Sequence, residues 1–193
     1  MKTERVQAFT DGVIAIIITI TVLELPVPHH ADLAALRGEL PILFAYVLSF
    51  VNVGIYWNNH HHLFQATRHV DGSVLWANLF MLFWMSLAPW TIRWLDESDF
   101  AALPMAAYGV IFGMSALGYI VMQARIIAIN GRDSTVGRAV GNDIKGKISL
   151  AAYAAGAVSA FIQPWIAGAL YTGIALVWLI PDRRIEDELR RER

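Results

Sequence analysis

The sequence contains no cysteine and few charged residues. Of its 193 residues, 56% are hydrophobic and 16% are charged, whereas a soluble domain usually carries about 25% charged residues. The lack of cysteine excludes disulfides, thiolate metal sites and cysteine nucleophiles. The formal net charge of −1 gives no sign of a nucleic-acid partner. The composition therefore indicates an all-α integral membrane protein whose surroundings are a lipid bilayer.

Apolar runs separated by charged turns predict six transmembrane helices. The uncharged run at 148–180 would measure about 50 Å as one helix, far beyond a hydrocarbon core of about 30 Å. The turn signal Gln163-Pro164-Trp165 divides this run in two. A transmembrane domain at 1–181 is expected to contain spans at about 6–26, 40–60, 74–94, 101–124, 148–162 and 165–180. A charged tail follows at 182–193, and the glycine-rich stretch 130–146 is expected to be a flexible connection.

The basic residues orient these spans. If the N-terminus is cytoplasmic, every Lys and Arg except Arg37 and Arg93 falls on the inner side, as the positive-inside rule requires. Five spans would leave the arginine-rich tail outside. The expected topology has six helices, with both termini in the cytoplasm, in a multi-pass protein of the cell membrane.

The first span has two different faces. Asp11 lies at the membrane's inner edge, where an ionisable group is costly and indicates either a functional site or a structural pairing. On the roughly opposite side, one stripe is formed by Ile16, Thr19, Ile20 and Leu23. On its spacing alone, such a stripe is typical of a helix that faces lipid or packs against another helix.

Polar groups that can satisfy Asp11 are predicted near the cytoplasmic ends of the first three spans. Guanidinium, indole, imidazole and amide groups all donate hydrogen bonds. The candidates are Arg5, Trp57, His60 and Asn78. We expect an intrasubunit network, to which Phe9 and Thr10 also belong, that holds the first helix against the second and third and makes Asp11 structural.

Three consecutive histidines, His60, His61 and His62, raise the question of a metal site. Neighbouring residues of a helix point about 100° apart, so these three cannot converge on one ion, and a His pair at i and i+4 is missing. We therefore expect no bound metal. One histidine should face inward as a hydrogen-bond partner, and the other two should meet the membrane interface.

Motifs in the first half of the chain resemble those of a known family. The chain opens with Arg5-x-x-x-Phe9-Thr10-Asp11, followed by Gly-Val-Ile-Ala-Ile-x-Ile-Thr. This is similar to the opening of the transmembrane protein 175 potassium channel family, in which the motif is usually Phe-Ser-Asp. Trp57-x-x-His60, Asn78-Leu79 and Pro89 also resemble that family's second and third helices. The resemblance covers roughly residues 5–91, and Thr10 keeps the hydroxyl of the usual serine.

The resemblance implies a homotetramer whose first helices line a central pore. Bulky aliphatic side chains form the constriction in that family, and a threonine layer contributes to selectivity. By motif alignment these positions fall on Ile16, Thr19, Ile20 and Leu23. The implied function is a potassium-permeable cation channel that conducts passively, with wetting and dewetting of a hydrophobic gate. It implies K⁺ as the permeant ion, other monovalent cations as possible permeants, no cofactor and no enzymatic activity.

The sequence is also compatible with two other functions. A secondary ion transporter normally shows inverted repeats and broken helices at corresponding positions, and Pro89 has no such counterpart. A metal-dependent integral membrane enzyme would use the His60–His62 cluster as ligands. The sequence shows neither a convergent ligand set nor a nucleophile for that chemistry.

Overall fold

Helices make up nearly all of the structure, a computed structural model that describes residues 3–179. The apolar stretches are helical because backbone groups in lipid must satisfy their hydrogen bonds within the segment. In chain order the helices are α1 Thr3–Leu23, α2 Leu33–Gly38, α3 Leu40–Gln65, α4 Gly72–Met85, α5 Ala88–Glu97, α6 Ala102–Asn130, α7 Thr135–Val140, α8 Ile144–Ser159 and α9 Pro164–Leu179. The prediction of an all-α membrane protein is confirmed.

Four helical stretches are long and apolar enough to cross a bilayer. They are α1, α3, the consecutive pair α4 and α5, and α6. Helix α9 is a shorter apolar helix, and α8 also has 16 residues; this is about 24 Å, against a hydrocarbon core of about 30 Å. The six-span topology with cytoplasmic termini therefore stays a prediction. The charged tail at 182–193 lies outside the described residues.

The third predicted span is interrupted close to Pro89. Proline has no backbone N–H, and its ring clashes with the carbonyl four residues earlier. That carbonyl belongs to Met85, the last residue of α4. The chain therefore leaves the helix at Ser86 and Leu87, and α5 begins again with Pro89 in its first turn, where a missing N–H is tolerated.

Glycines allow the central helices to approach one another closely, as small residues commonly do in membranes. A Cβ added at Gly118 of α6 would lie 2.9 Å from the Cα of Met81 in α4, and these two helices form the most extensive pair. Gly109 of α6 and Gly156 of α8 both leave room for the ring of Tyr171 from α9. Helix α6 is thus the centre of the subunit, with α4 on one side and α8 and α9 on the other.

The connection at 130–146 contains helix α7 and several specific contacts. Ser134 caps α7 by accepting a backbone N–H at 3.2 Å, and Val136 is fully buried. The side chain of Asn130 donates to the carbonyl of His69 at 2.9 Å and accepts from its N–H at 3.0 Å. This part of the chain is therefore a structured link to the α3–α4 connection rather than the flexible one expected.

Candidate functional site on helix α1

Helix α1 packs against its own subunit on one side only. Its buried side chains recur at intervals of three or four residues and so form a single stripe. The stripe consists of Val6, Thr10, Ile14, Ile17 and Thr21. It contacts α3, α4 and α5. The other half of the helix circumference is exposed in the single subunit.

The four residues predicted to line a pore lie on this exposed half. The exposed fraction is 57% for Ile16, 42% for Ile20 and 78% for Leu23, and Thr19 is exposed as well. At 100° per residue these four side chains occupy an arc of about 100°, whose centre lies roughly 130° from the buried stripe. A large exposed apolar surface of this kind marks an interaction surface or a lipid-facing one.

Neighbouring helices flank the exposed arc on both edges. On one edge, Asp11 of α1 accepts a hydrogen bond from Trp57 of α3. On the other edge, Ile20 lines a groove together with Trp90 of α5. Thr19 lies between these two edges, on the part of α1 that points away from the subunit core.

The hydroxyl of Thr19 presents its oxygen to the exposed side. It donates its proton to the carbonyls of Ala15 and Ile16, each at 3.0 Å. Because the proton is used within the helix, the lone pairs of the oxygen remain available, and oxygen ligands are what hard cations prefer. Thr21 makes the same kind of bond, to Ile17 at 2.6 Å, but its side chain is buried. The two threonines therefore differ in direction rather than in local bonding.

Thr10, Asn78 and His60 form a buried polar network that joins α1, α4 and α3. The Asn78 amide donates to the Thr10 hydroxyl oxygen at 2.9 Å, and the Thr10 hydroxyl lies 3.3 Å from Asn78 Oδ1. His60 Nε2 lies 3.2 Å from the same Oδ1. All three side chains are at most 2% exposed, so water cannot replace these bonds. The network holds the N-terminal half of α1 in register with α3 and α4.

Asp11 lies beside this network rather than inside it. Its carboxylate accepts a hydrogen bond from Trp57 Nε1 at 2.9 Å, and both side chains are exposed in the single subunit. The sequence interpretation placed the carboxylate at the centre of the helix-fixing contacts. In the structure the hydroxyl of Thr10, another member of the expected network, makes the central contact. Asp11 makes a more exposed contact between α1 and α3.

Arg5 and Phe9 are also not where the sequence interpretation put them. Both were expected to belong to the structural network, but both are exposed, Phe9 to 53%. Within residues 3–179 neither takes part in the hydrogen bonds around Asn78 or Asp11. The helical repeat explains the difference, since positions 5 and 9 lie on the same side of α1 as Ile16.

The three histidines point in different directions. His60 is buried and stacks on Phe64 at 4.3 Å between ring centroids. His61 stacks on Trp57 and lies 2.8 Å from the Gln65 amide nitrogen, and both His61 and His62 are partly exposed. Throughout the described range, no group of three His, Cys, Asp or Glu side chains is arranged to hold a metal ion.

A second buried polar network was not recognised from the sequence. Asn52 of α3 donates to the hydroxyl of Tyr108 and accepts from that of Tyr153, both at 3.3 Å, and Ser49 donates to Tyr108 at 3.2 Å. The signal was present, because an amide in the middle of a membrane helix demands partners. This network connects α3, α6 and α8, away from the exposed face of α1.

Comparison with known proteins yields one family. A family model described as "Endosomal/lysosomal potassium channel TMEM175" matches residues 5–89. A potassium channel of Chryseobacterium sp. (strain P1-3) is 48% identical over 98% of this chain and 99% of its own length. The human endosomal/lysosomal proton channel TMEM175 is 33% identical over 116 residues, which are 54% of this chain and 23% of that protein.

A solved structure agrees in fold. It is the crystal structure of a lysosomal potassium-selective channel TMEM175 homolog from Chamaesiphon minutus. The TM-score is 0.76 at 26% sequence identity, and the match covers 93% of this chain and 97% of that one. The similarity therefore extends through α6–α9, beyond the region that the family model matches.

Proposed function

The chain belongs to the TMEM175 family of channels, and on that premise we propose that it is a potassium-permeable cation channel in which α1 of each subunit lines the pore. Members of this family are channels rather than enzymes, and the relatives that match most of this chain are described as potassium channels or potassium-selective. The observation that carries the proposal is the one-sided packing of α1.

One helix per subunit cannot enclose a pore, so several copies must meet around an axis. We propose four copies in the cell membrane, as the family resemblance implies. In this arrangement the exposed arc of α1 faces the axis, and its flanking helices α3 and α5 face the neighbouring subunits. The arc needs no partner within its own subunit because the other copies supply it.

The pore wall in this proposal is mostly aliphatic. Rings of Ile16, Ile20 and Leu23 form a hydrophobic constriction, which conducts when it wets and closes when it dewets. Within it, the Thr19 hydroxyl is the polar group, with its oxygen turned towards the axis. Conduction past such a wall needs no coupling ion and no bound cofactor.

Purified protein in liposomes provides the first test. We expect a potassium flux that scales with the potassium gradient and needs neither sodium nor a proton gradient. A flux that stops without a coupling ion would favour a secondary transporter instead. A proton-sensitive dye in the same vesicles measures proton permeation, the activity named for the human relative.

Variants of the constriction test the assignment of the pore wall. Ile16→Asn and Leu23→Asn should each raise the flux, because a polar ring lowers the cost of wetting. Leu176→Asn is the matched control, since Leu176 is also exposed but lies on α9. Unchanged flux at both α1 positions, or an equal rise at Leu176, would show that the stripe does not line the pore.

Thr19 has its own matched control on the same helix. Thr19→Val should change the potassium-over-sodium preference and leave assembly intact, because only a hydroxyl on the exposed arc is removed. Thr21→Val removes a buried hydroxyl with the same local bonding and should leave the preference unchanged. Equal effects of the two substitutions would exclude a specific part for Thr19.

A further inference from the structure

The exposed stripe on α1 continues beyond the constriction towards the N-terminus of the helix. Starting from Leu23 and going back in steps of four and three residues, the stripe passes through Leu23, Thr19, Ile16, Gly12, Phe9 and Arg5. Every one of these residues is exposed. A Cβ added at Gly12 would meet no atom within 4 Å, so the stripe is open along its whole length.

Heights along the helix place two further rings below the constriction. At 1.5 Å per residue, Phe9 lies about 10 Å and Arg5 about 16 Å from the level of Ile16. Both are on the cytoplasmic side in the topology that the basic residues favour. On the other side of the helix, the Thr10–Asn78–His60 network fixes this segment of α1 in rotation, so Phe9 and Arg5 keep their direction.

We propose that Phe9 and Arg5 line the inner mouth of the pore, where Arg5 forms a positively charged ring that limits cation entry from the cytoplasm. This inference rests on the proposed channel function and on its tetrameric arrangement. It assigns these two residues to permeation and removes them from the structural network in which sequence reasoning had placed them.

The other charges of this segment do not lie on the stripe. Glu4 is exposed but points about 100° away from Arg5. Asp11 points about 120° away from it, and its carboxylate accepts a hydrogen bond from Trp57. A cation that moves along the axis therefore passes the guanidinium groups more closely than either carboxylate.

The expected size of the effect follows from Coulomb's law. Neighbouring helix axes lie about 8–10 Å apart, which puts four Arg5 charges about 8 Å from the pore axis. In water, such a ring lowers the local potassium concentration roughly fourfold at about 0.15 M salt and roughly fifteenfold at about 0.01 M. The effect is therefore strongest at low ionic strength.

Currents recorded in planar bilayers test the charge of the ring. We expect Arg5→Gln to raise the current carried by potassium from the inner side by roughly fourfold at about 0.15 M salt, and by more at low salt. Arg5→Lys keeps the charge and should conduct like the wild type. Arg68→Gln removes an exposed charge of the α3–α4 connection and should also leave the current unchanged.

A second measurement covers the case in which Arg5→Gln fails to assemble. The chain has no cysteine, so Phe9→Cys introduces its sole thiol. An anionic or cationic thiol reagent applied from the inner side should reduce the current of Phe9→Cys and leave that of Arg68→Cys unchanged. The inference would be overturned if Arg5→Gln conducted like the wild type at both high and low salt. It would also be overturned if Phe9→Cys were labelled without any change in its current. If the wild-type protein carries no potassium current at all, the proposed function itself is refuted.

Discussion

Replacing Thr10 by Val removes a single hydroxyl from the contact between α1 and α4. Valine has nearly the shape of threonine, so the packing of α1 against its neighbours is retained. The substitution deletes the 2.9 Å hydrogen bond from the Asn78 amide and the 3.3 Å contact with its Oδ1. Thr10 is fully buried, and the amide of Asn78 is therefore left without a replacement partner from solvent.

The magnitude follows from what each substitution leaves unsatisfied. A buried donor without its partner costs about 1–3 kcal/mol, whereas hydrogen bonds between membrane helices average about 0.6 kcal/mol and reach about 1.7 kcal/mol. Since Asn78 Oδ1 keeps its contact with His60, we expect Thr10→Val to lower the free energy of unfolding by about 1–2 kcal/mol. Asn78→Leu strands two partners, Thr10 and His60, and should cost about 2–3 kcal/mol.

The double variant is the decisive measurement. If the two side chains stabilise the fold through each other, Thr10→Val with Asn78→Leu costs about 0.5–1.5 kcal/mol less than the sum of the single variants. Reversible unfolding of the purified protein in detergent micelles gives these values, provided that the protein concentration is the same throughout, because assembly affects apparent stability.

Thr19→Val is the control for the loss of a hydroxyl from the same helix. Its hydroxyl bonds to its own backbone and lies on the exposed side, so the free energy of unfolding should change by less than about 0.5 kcal/mol. Additive costs for Thr10 and Asn78 would refute the argument that a buried network fixes α1. A cost for Thr19→Val as large as that for Thr10→Val would refute it as well.

Three further predictions concern helix contacts and pH. Trp57→Phe deletes the donor to Asp11 and should lower the free energy of unfolding by about 0.5–1.5 kcal/mol in the same assay. Adding Asp11→Ala to Trp57→Phe should lower it almost no further. A large additional loss would point to another partner of the carboxylate. Gly118→Ala places a Cβ 2.9 Å from the backbone of α4 and should lower the free energy of unfolding by about 1–3 kcal/mol. At Gly54 nothing lies within 4 Å of an added Cβ, so Gly54→Ala should raise that free energy by about 0.5–1 kcal/mol. Equal outcomes for the two substitutions would contradict the close contact between α6 and α4. Asp71 caps α4, and hydrogen bonds from the Ser73 hydroxyl and then the Val74 backbone N–H lower the pKa of its carboxyl below the ordinary 3.8. The stabilisation of the fold by the ionised carboxylate is therefore present above pH 4 and is lost as the pH falls through the lowered pKa. Asp71→Ala should remove that part of the acid sensitivity of unfolding.

The sequence could predict that Ile16 and Leu23 share one side of α1, because helical geometry depends on spacing alone. Ile16 and Leu23 recur at seven residues, and any straight helix brings them to one side. The break between α4 and α5 was not anticipated, although Pro89 was noticed, because an isolated proline does not reveal whether a helix bends or stops. Closest approaches such as that of Gly118 to α4 depend on which helices become neighbours, which spacing does not encode.

The error concerning Arg5 and Phe9 has a specific cause. Hydrogen-bonding capacity shows which groups can pair, and Arg5 was assigned to Asp11 on that basis. Direction decides which groups meet, and the steps of four and seven residues from 5 to 9 and from 9 to 16 already placed both side chains on the exposed stripe. Thr10 and Asn78 can hydrogen-bond and their side chains also point towards each other, and these two residues do form a hydrogen bond.

The division of α1 into a packed half and an exposed half has a consequence for how such proteins evolve. Substitutions on the packed half are judged by folding, whereas substitutions on the exposed half touch few neighbours of the same subunit, and distant sites contribute independently to stability. With the exposed half lining the pore as proposed, lineages can alter which ions pass without redesigning the subunit. In the proposed channel, α1 thus carries two sets of selective pressures on opposite sides of one helix, and a descendant with a different permeant ion can keep the same scaffold.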